Sequence, residues 1–406
     1  MAPKQHPTSS TPFSVRAESE SLPALTSYLL SLISIKKSNL CVSADVHSTS
    51  ILLKLAEEIG DSICVLKTHA DIIDDFSDRT IRGLQEIAKR KNFLIFEDRK
   101  FGDIGNTVQS QYSRGPLRIA TWAHLTNAHI FPGPAIIPSL QSAATSTLIS
   151  LNQSVSTEIS TGTPRTSLDG LSTTGTDPEP DLDPFPASST SDAYLYRPSS
   201  SNTQNTLSPT TTEFDMSHRR SSVVTATTTI SQTFEPCPPN PATLQRSMSS
   251  SSGDTPLDRA TALKELGPPP HARGLLLLAQ MSSENNLLDA EYTETCVAAA
   301  REHKDFVLGF VAQENLNADK RDAFLMFTPG VGFPPEGQEA GVLGGKSKGD
   351  GMGQRWRGPR EVVRDEGVDV VIVGRGVVNA RDRPSEAEKY RREAWRGYEE
   401  RIERRK

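Results

Sequence analysis

The sequence predicts an α/β chain folded as a (β/α)8 TIM barrel, with a long disordered insertion between helix four and strand five. Three observations carry this. Short runs rich in Val, Ile and Leu alternate with amphipathic stretches on both sides of a Ser/Thr/Pro-rich middle. Without that middle the chain is roughly of the size typical of the barrel, about 250 residues. Charged or glycine-rich segments follow several of the apolar runs, at the strand ends where such barrels keep their chemistry.

Taken in order, the apolar runs place strands at 40–44, 62–67, 93–98, 119–126, 274–279, 306–311, 323–327 and 368–373. Helical patterns lie between most of them, for example at 50–59, 80–91 and 292–302, and a charged last helix at 385–404 gains an apolar stripe from Tyr390, Trp395 and Tyr398. Strands this apolar are buried on both faces, which means parallel strands covered by helices. A doubly wound sheet is the competing arrangement, but no GxGxxG follows the first strand.

The domain reading is a flexible N-terminus at 1–23, a first part of the barrel at 24–148, a disordered zone at 149–256 and a second part at 257–406. The 149–256 zone has too few large apolar residues to offset the entropy of ordering it. It enters at an αβ connection, on the face opposite the expected mouth, and long surface loops add entropy cost only slowly. Removing residues 151–254 is therefore expected to leave activity intact. Arg219-Arg-Ser-Ser222 and Arg246-Ser-Met-Ser249 fit a basophilic kinase, although such matches arise by accident in so Ser-rich a segment.

The hydrophobic fraction of 35% is low, as expected if part of the chain joins no core. A net charge of −6 and a pI near 5.8 disfavour nucleic acid or an anionic membrane as the main partner. Cys41, Cys64, Cys237 and Cys296 form no CxxC pair, so free thiols are expected rather than a zinc site or disulfides. The polar first 21 residues carry no secretory pattern, and no apolar run is long enough to span a bilayer. The expectation is a cytoplasmic, soluble protein.

The densest charge in an apolar context is Phe93-Leu-Ile-Phe-Glu-Asp-Arg-Lys-Phe-Gly-Asp103. Strand side chains alternate, so Asp98 and Lys100 share a side, and with Leu94 and Phe96 inside the barrel both stand at its mouth. An isolated Asp-x-Lys is more often an ordinary ion pair. Here Lys67 also ends strand two and Asp45 ends strand one, so three consecutive strands deliver charge to one level. Lys67, Asp98, Lys100 and Asp103 then alternate in sign. Across the barrel, Thr328-Pro-Gly-Val-Gly332 follows strand seven and Gly374-Arg-Gly376 follows strand eight, where barrels commonly bind phosphate. Glycines admit an anion to backbone N–H groups, and arginine grips it bidentately. His47 and His69 lie near the mouth, where they could contact a ligand, and His124 and His129 in and just after strand four. None has metal-ligand spacing, and each reads as structural.

These segments resemble a known family. Lys67-Thr-His-Ala-Asp71 and Phe96-Glu-Asp-Arg-Lys-Phe-Gly-Asp-Ile-Gly-Asn-Thr107 resemble two signature segments of the orotidine 5'-monophosphate decarboxylases, in their fungal form. The strand-seven and strand-eight loops resemble their phosphate loops, and Ala279-Gln-Met-Ser282 the segment that contacts the pyrimidine. The resemblance implies a cofactor-free, metal-free lyase of pyrimidine (UMP) biosynthesis. Lys100 would protonate C6 as carbon dioxide leaves, Asp98 would lie beside the substrate carboxylate, and Lys67 and Asp103 would complete the charged network. Asp45 and Lys67 would contact the ribose, Ser282 the base, and Gln354, Arg375, Pro329 and Gly374 the phosphate end. Asp103 and Thr107 would come from the neighbouring subunit of a homodimer.

The chain departs from many fungal relatives in reading Gly353-Gln-Arg-Trp356 where they have Gly-Gln-Gln-Tyr, which replaces a hydroxyl by an indole N–H or by Arg355. The glycine-rich 334–353 stretch is expected to act as a lid. Metal-dependent sugar-phosphate decarboxylases and aldolases of the same superfamily share Asp-x-Lys-x-x-Asp but carry an acidic metal ligand in place of Lys67. An inactive scaffold barrel is the reading of a different class, opposed by the intact charged residues.

Overall fold

The computed structural model describes residues 6–162, 223–232, 256–283, 285–333 and 357–404. The chain divides into two compact units, one formed by Met1–Ser154 with Gln232–Lys406 and the other by Val155–Ser231.

The first unit is a closed barrel of eight parallel strands. In chain order its elements begin with helices α1 (Phe13–Ala17) and α2 (Ala24–Lys36). There follow β1 (Leu40–Ala44), α3 (Thr49–Ile59), β2 (Val65–Thr68), α4 (Asp78–Lys91), β3 (Leu94–Phe101), α5 (Gly105–Ser113), β4 (Leu125–Ala128) and α6 (Ile136–Leu151). Strands β5 (Gln153–Gly162) and β6 (Val223–Gln232) pair only with each other. The barrel resumes with α7 (Pro256–Leu266), β7 (Gly274–Leu278), α8 (Ala290–Glu302), β8 (Val307–Val311), β9 (Leu325–Thr328), α9 (Pro359–Asp365), β10 (Val370–Val373), α10 (Arg375–Val378) and α11 (Arg383–Glu403). β10 closes on β1 in parallel, Leu40 opposite Val371.

Local chemistry sets these elements. The Ser48 hydroxyl accepts from Ile51 N–H to start α3, Ser77 and Thr80 form a reciprocal capping box on α4, and Asp289 and Asp382 cap α8 and α11. The barrel strands are fully buried except at the mouth end of β3, as parallel strands under helices must be. Lys36 ends α2 with its ammonium buried, donating to the carbonyls of Gly60, Lys91 and Asn92 at 2.8 Å each. A cation there satisfies the carbonyl ends of α3 and α4 together.

Two expectations need correction. The 119–126 run is not one strand. Arg118 takes a left-handed conformation, Ile119–Thr121 form a 3-10 turn, and β4 starts at Leu125. Its apolar residues are buried because Trp122 donates to Leu117 O and packs under the helices, which periodicity cannot distinguish from burial in a sheet. His124 accordingly lies before β4, where it accepts from Ile95 N–H and burial pushes it down to about 3.

Residues 6–23 are not a flexible N-terminus. Phe13 is buried and stacks on Tyr398 at 4.2 Å, and the Arg16 guanidinium pairs with buried Asp369 at 2.5 Å. These partners lie more than 350 residues away, so the polar local sequence gives no sign of them. Within 149–256, α6 runs to Leu151, and β5 and β6 pair with each other rather than with any barrel strand. The run Val223-Val-Thr-Ala-Thr-Thr-Thr-Ile230 is locally β-branched, although the zone as a whole is poor in apolar residues. Most of the 149–256 zone, with both kinase-like motifs and Cys237, lies outside the described residues. So do the 334–353 stretch, Gln354, Arg355 and Trp356. Among the described residues no helix is long and apolar enough to cross a membrane.

Candidate active site

The mouth of the barrel holds a cavity of about 240 Å³ at the carboxyl ends of the strands. Asp45, Lys67, Asp98, Lys100, Ser282, Pro329, Gly374 and Arg375 all line it. Sequence reasoning named each of these eight.

At its floor β3 departs from regular pairing. Glu97 lies opposite Thr126 and Phe101 opposite Ala128, so the bulge leaves three β3 residues facing one of β4. Lys100 takes φ +52° inside it. The bulge lets Asp98 and Lys100 both face the cavity. Lys100 Nζ donates to Asp98 Oδ1 over 2.7 Å, and Lys67 Nζ to Asp98 Oδ2 over 2.5 Å. Each carboxylate oxygen therefore faces its own ammonium. Asp45 Oδ1 lies 4.0 Å from Lys67 Nζ and accepts from Ser43 Oγ at 2.7 Å. Burial works to raise the Asp98 carboxyl, but the Lys67 ammonium, the His69 hydrogen bond and the Lys100 ammonium hold it well below the usual range. A buried charge is tolerated here because it is paired twice.

Two predicted residues stand apart. Asp103 accepts from Ile104 N–H at 2.8 Å and from Gln111 at 3.0 Å, and Thr107 is exposed on α5. Neither lines the cavity of its own chain, so the four-residue alternation of charge is not assembled within one chain.

Four further groups at or beside this cavity were given no individual role by the sequence reading. His69 Nε2 lies 2.8 Å from Lys67 Nζ and 3.2 Å from Asp98 Oδ2, within the charged cluster. Asn127 donates to Asp98 Oδ1 at 2.7 Å and accepts from Lys100 N–H at 2.7 Å. The sequence reading ended strand four at residue 126, so neither its place in β4 nor its partners were legible. Tyr390, expected to supply only apolar surface, lines the cavity and accepts from Phe333 N–H at 3.2 Å. Gln280 also lines it, with Oε1 accepting from Gln313 N–H at 2.8 Å.

On the opposite wall, Gly330 has φ +77°, a conformation that favours glycine. Gly376 must also be small, because a Cβ there would overlap the Tyr390 hydroxyl. Among the described residues no group of three or more His, Cys, Asp or Glu is arranged to hold a metal ion. Cys41, Cys64 and Cys296 are buried thiols, and burial pushes Cys64 and Cys296 up to about 12.

Residues 38–166 and 245–390 match the model of the "Orotidine 5'-phosphate decarboxylase / HUMPS family". The chain belongs to the orotidine 5'-phosphate decarboxylase family. An orotidine 5'-phosphate decarboxylase of Hypocrea atroviridis is 41% identical over 401 residues, covering 98% of this chain and 99% of the relative. One of Sordaria macrospora is 40% identical over 416 residues, covering 97% and 96%. Among solved structures, orotidine 5'-monophosphate decarboxylase from Methanocaldococcus jannaschii, complexed with the inhibitor BMP, aligns over 87% of this chain and 97% of its own. Its TM-score is 0.41 at 14% identity. Interruption of the family match at 167–244 coincides with the inserted zone of this family member.

Proposed function

We propose that the chain converts orotidine 5'-monophosphate to uridine 5'-monophosphate and carbon dioxide, as a cofactor-free step of pyrimidine biosynthesis. The observation that carries this reading is Asp98 held between Lys67 and Lys100 at the barrel mouth. Breaking the bond from C6 to the carboxylate leaves the electron pair on an sp2 carbon with no adjacent electron sink. An ammonium fixed at that carbon stabilises the charge as it develops and then donates its proton. Lys100 takes that role and regains a proton from solvent. Asp98 fixes Lys100 and faces the departing carboxylate. Asp45 and Lys67 take the ribose hydroxyls, Ser282 the base, and the Pro329 and Gly374–Arg375 side of the cavity takes the phosphate, far enough from C6 to supply binding energy for orientation.

The site is completed by a second copy of the chain. Asp103 and Thr107 lie outside their own cavity and are offered to the partner's. Exposed Ile104 and Phe131, 56% and 64% accessible near the same segment, supply apolar surface for that contact.

The test is decarboxylation of orotidine 5'-monophosphate by the purified full chain, followed by ultraviolet absorbance with a chelator present. Turnover is expected in wild type and loss by several orders of magnitude in Lys100→Ala. A folded wild-type protein without turnover, or one that needs magnesium, overturns the reading.

A further inference from the structure

Glu97 is a fully buried carboxyl on the outer side of β3, and the charged cluster in the cavity makes no direct use of it. Its register partner across β2–β3 is Thr68. Thr68 Oγ1–H donates to Glu97 Oε2 over 2.6 Å, and Ala70 N–H donates to Glu97 Oε1 over 2.9 Å. Ala70 opens the 3-10 turn Ala70–Ile72, so its amide has no acceptor within that turn. The carboxyl thus grips the chain on both sides of His69, two residues beyond Lys67. Strand alternation sends Lys67 and Asp98 into the cavity and Thr68 and Glu97 away from it, so two parallel pairs cross the same strands. The inner pair carries charge, and the outer pair holds backbone.

We propose that Glu97 is a positioning residue for the decarboxylation, fixing through Thr68 and Ala70 the turn from which Lys67 and His69 reach Asp98. The proposal rests on the preceding reading for the reaction it serves. Burial pushes the Glu97 carboxyl up to about 8, against the pull of the Thr68 and Ala70 hydrogen bonds, so near neutral pH it is chiefly the uncharged acid, whose carbonyl oxygen accepts from Ala70 N–H while its O–H donates to Thr68 Oγ1 across the same contact. A glutamine makes the same two contacts, its carbonyl accepting from Ala70 N–H and its amide donating to Thr68 Oγ1. An alanine makes neither.

The test compares wild type, Glu97→Ala, Glu97→Gln and Thr68→Val in the full chain. It reads kcat and KM per folded molecule and the hydrogen-exchange rate of the Ala70 amide. Misplacement of catalytic groups by about 1 Å costs on the order of 100-fold. Glu97→Ala is expected to lose about that factor in kcat with KM changed less than about threefold, and to expose the Ala70 amide. Glu97→Gln restores both to near wild type, and Thr68→Val falls between. Wild-type kcat in Glu97→Ala, or a Glu97→Gln variant as impaired as Glu97→Ala, overturns the proposal. If Glu97→Ala does not fold, Thr68→Val decides, and unchanged kcat there overturns it. If wild type does not act on orotidine 5'-monophosphate, the reaction assignment fails. Ala70 exchange in the Ala and Gln variants then still decides whether Glu97 holds the turn.

Discussion

The backbone N–H of Lys100 donates to Asn127 Oδ1 over 2.7 Å at the point in β3 where φ turns to +52°. A lysine in that conformation is strained by roughly 1 kcal/mol, and the hydrogen bond offsets the strain. The same side chain donates to Asp98 Oδ1, so a single amide sets both the bulge and the carboxylate. Asn127→Ala is expected to lower kcat/KM by about 100-fold while the barrel stays folded. Steady-state kinetics with circular dichroism checks this, and a variant with wild-type kinetics would show that the bulge holds without Asn127.

Glu97 makes stability depend on pH with a definite sign. Its folded value, about 8, lies above the ordinary glutamate value of 4.5. Between these two pH values the folded chain binds more protons than the unfolded one. The stability this contributes is fully present below about pH 4.5 and is lost as pH rises through about 8. Thermal unfolding of wild type and Glu97→Gln from pH 5 to 9 is the check. Glu97→Gln is expected to lose less stability over that range, the difference being on the order of a few kcal/mol. Parallel pH curves would contradict it.

Lys36 lies at the other end of the strands and makes no contact with the cavity. Replacing it by Met leaves the carbonyls of Gly60, Lys91 and Asn92 without their shared donor. The expected cost is about 2–4 kcal/mol of stability, with kcat and KM of the folded enzyme unchanged. Chemical denaturation and kinetics on one preparation separate the two effects.

Gly376→Ala places a methyl group against the Tyr390 hydroxyl. Tyr390 must move, and with it the Phe333 N–H it accepts from. KM is expected to rise about tenfold or more with a smaller change in kcat, because in the proposed binding mode this wall takes the phosphate end rather than C6. Tyr390→Phe keeps the ring and removes only the acceptor, so its KM should rise less. A loss confined to kcat in Gly376→Ala would place this wall nearer the reacting carbon.

Lys67, Asp98 and Lys100 were legible because each ends an apolar strand, where an uncompensated charge is costly, and because alternation with period two assigns a side. The glycines at 330 and 376 were legible as turns, yet only the packing of Tyr390 explains why Gly376 admits no side chain. His69 was visible at the mouth and was read as structural; its distance of 3.2 Å from Asp98 places it in the charged cluster. Burial of Phe13 and Arg16 could not be read locally, since Tyr398 and Asp369 belong to the far end of the chain.

The sequence alone determined the barrel, the inserted zone and the charged strand ends, because periodicity and composition are local properties that each segment carries by itself. Only the tertiary structure decided which polar side chains orient those charges. Asn127 meets Asp98 and Lys100, Glu97 meets Thr68 and Ala70, and Tyr390 meets Gly376 because the pairing and packing of successive strands and helices brings side chains from different elements together. A hydrogen bond of 2.7 Å depends on that packing to within fractions of an ångström, and no local pattern encodes it.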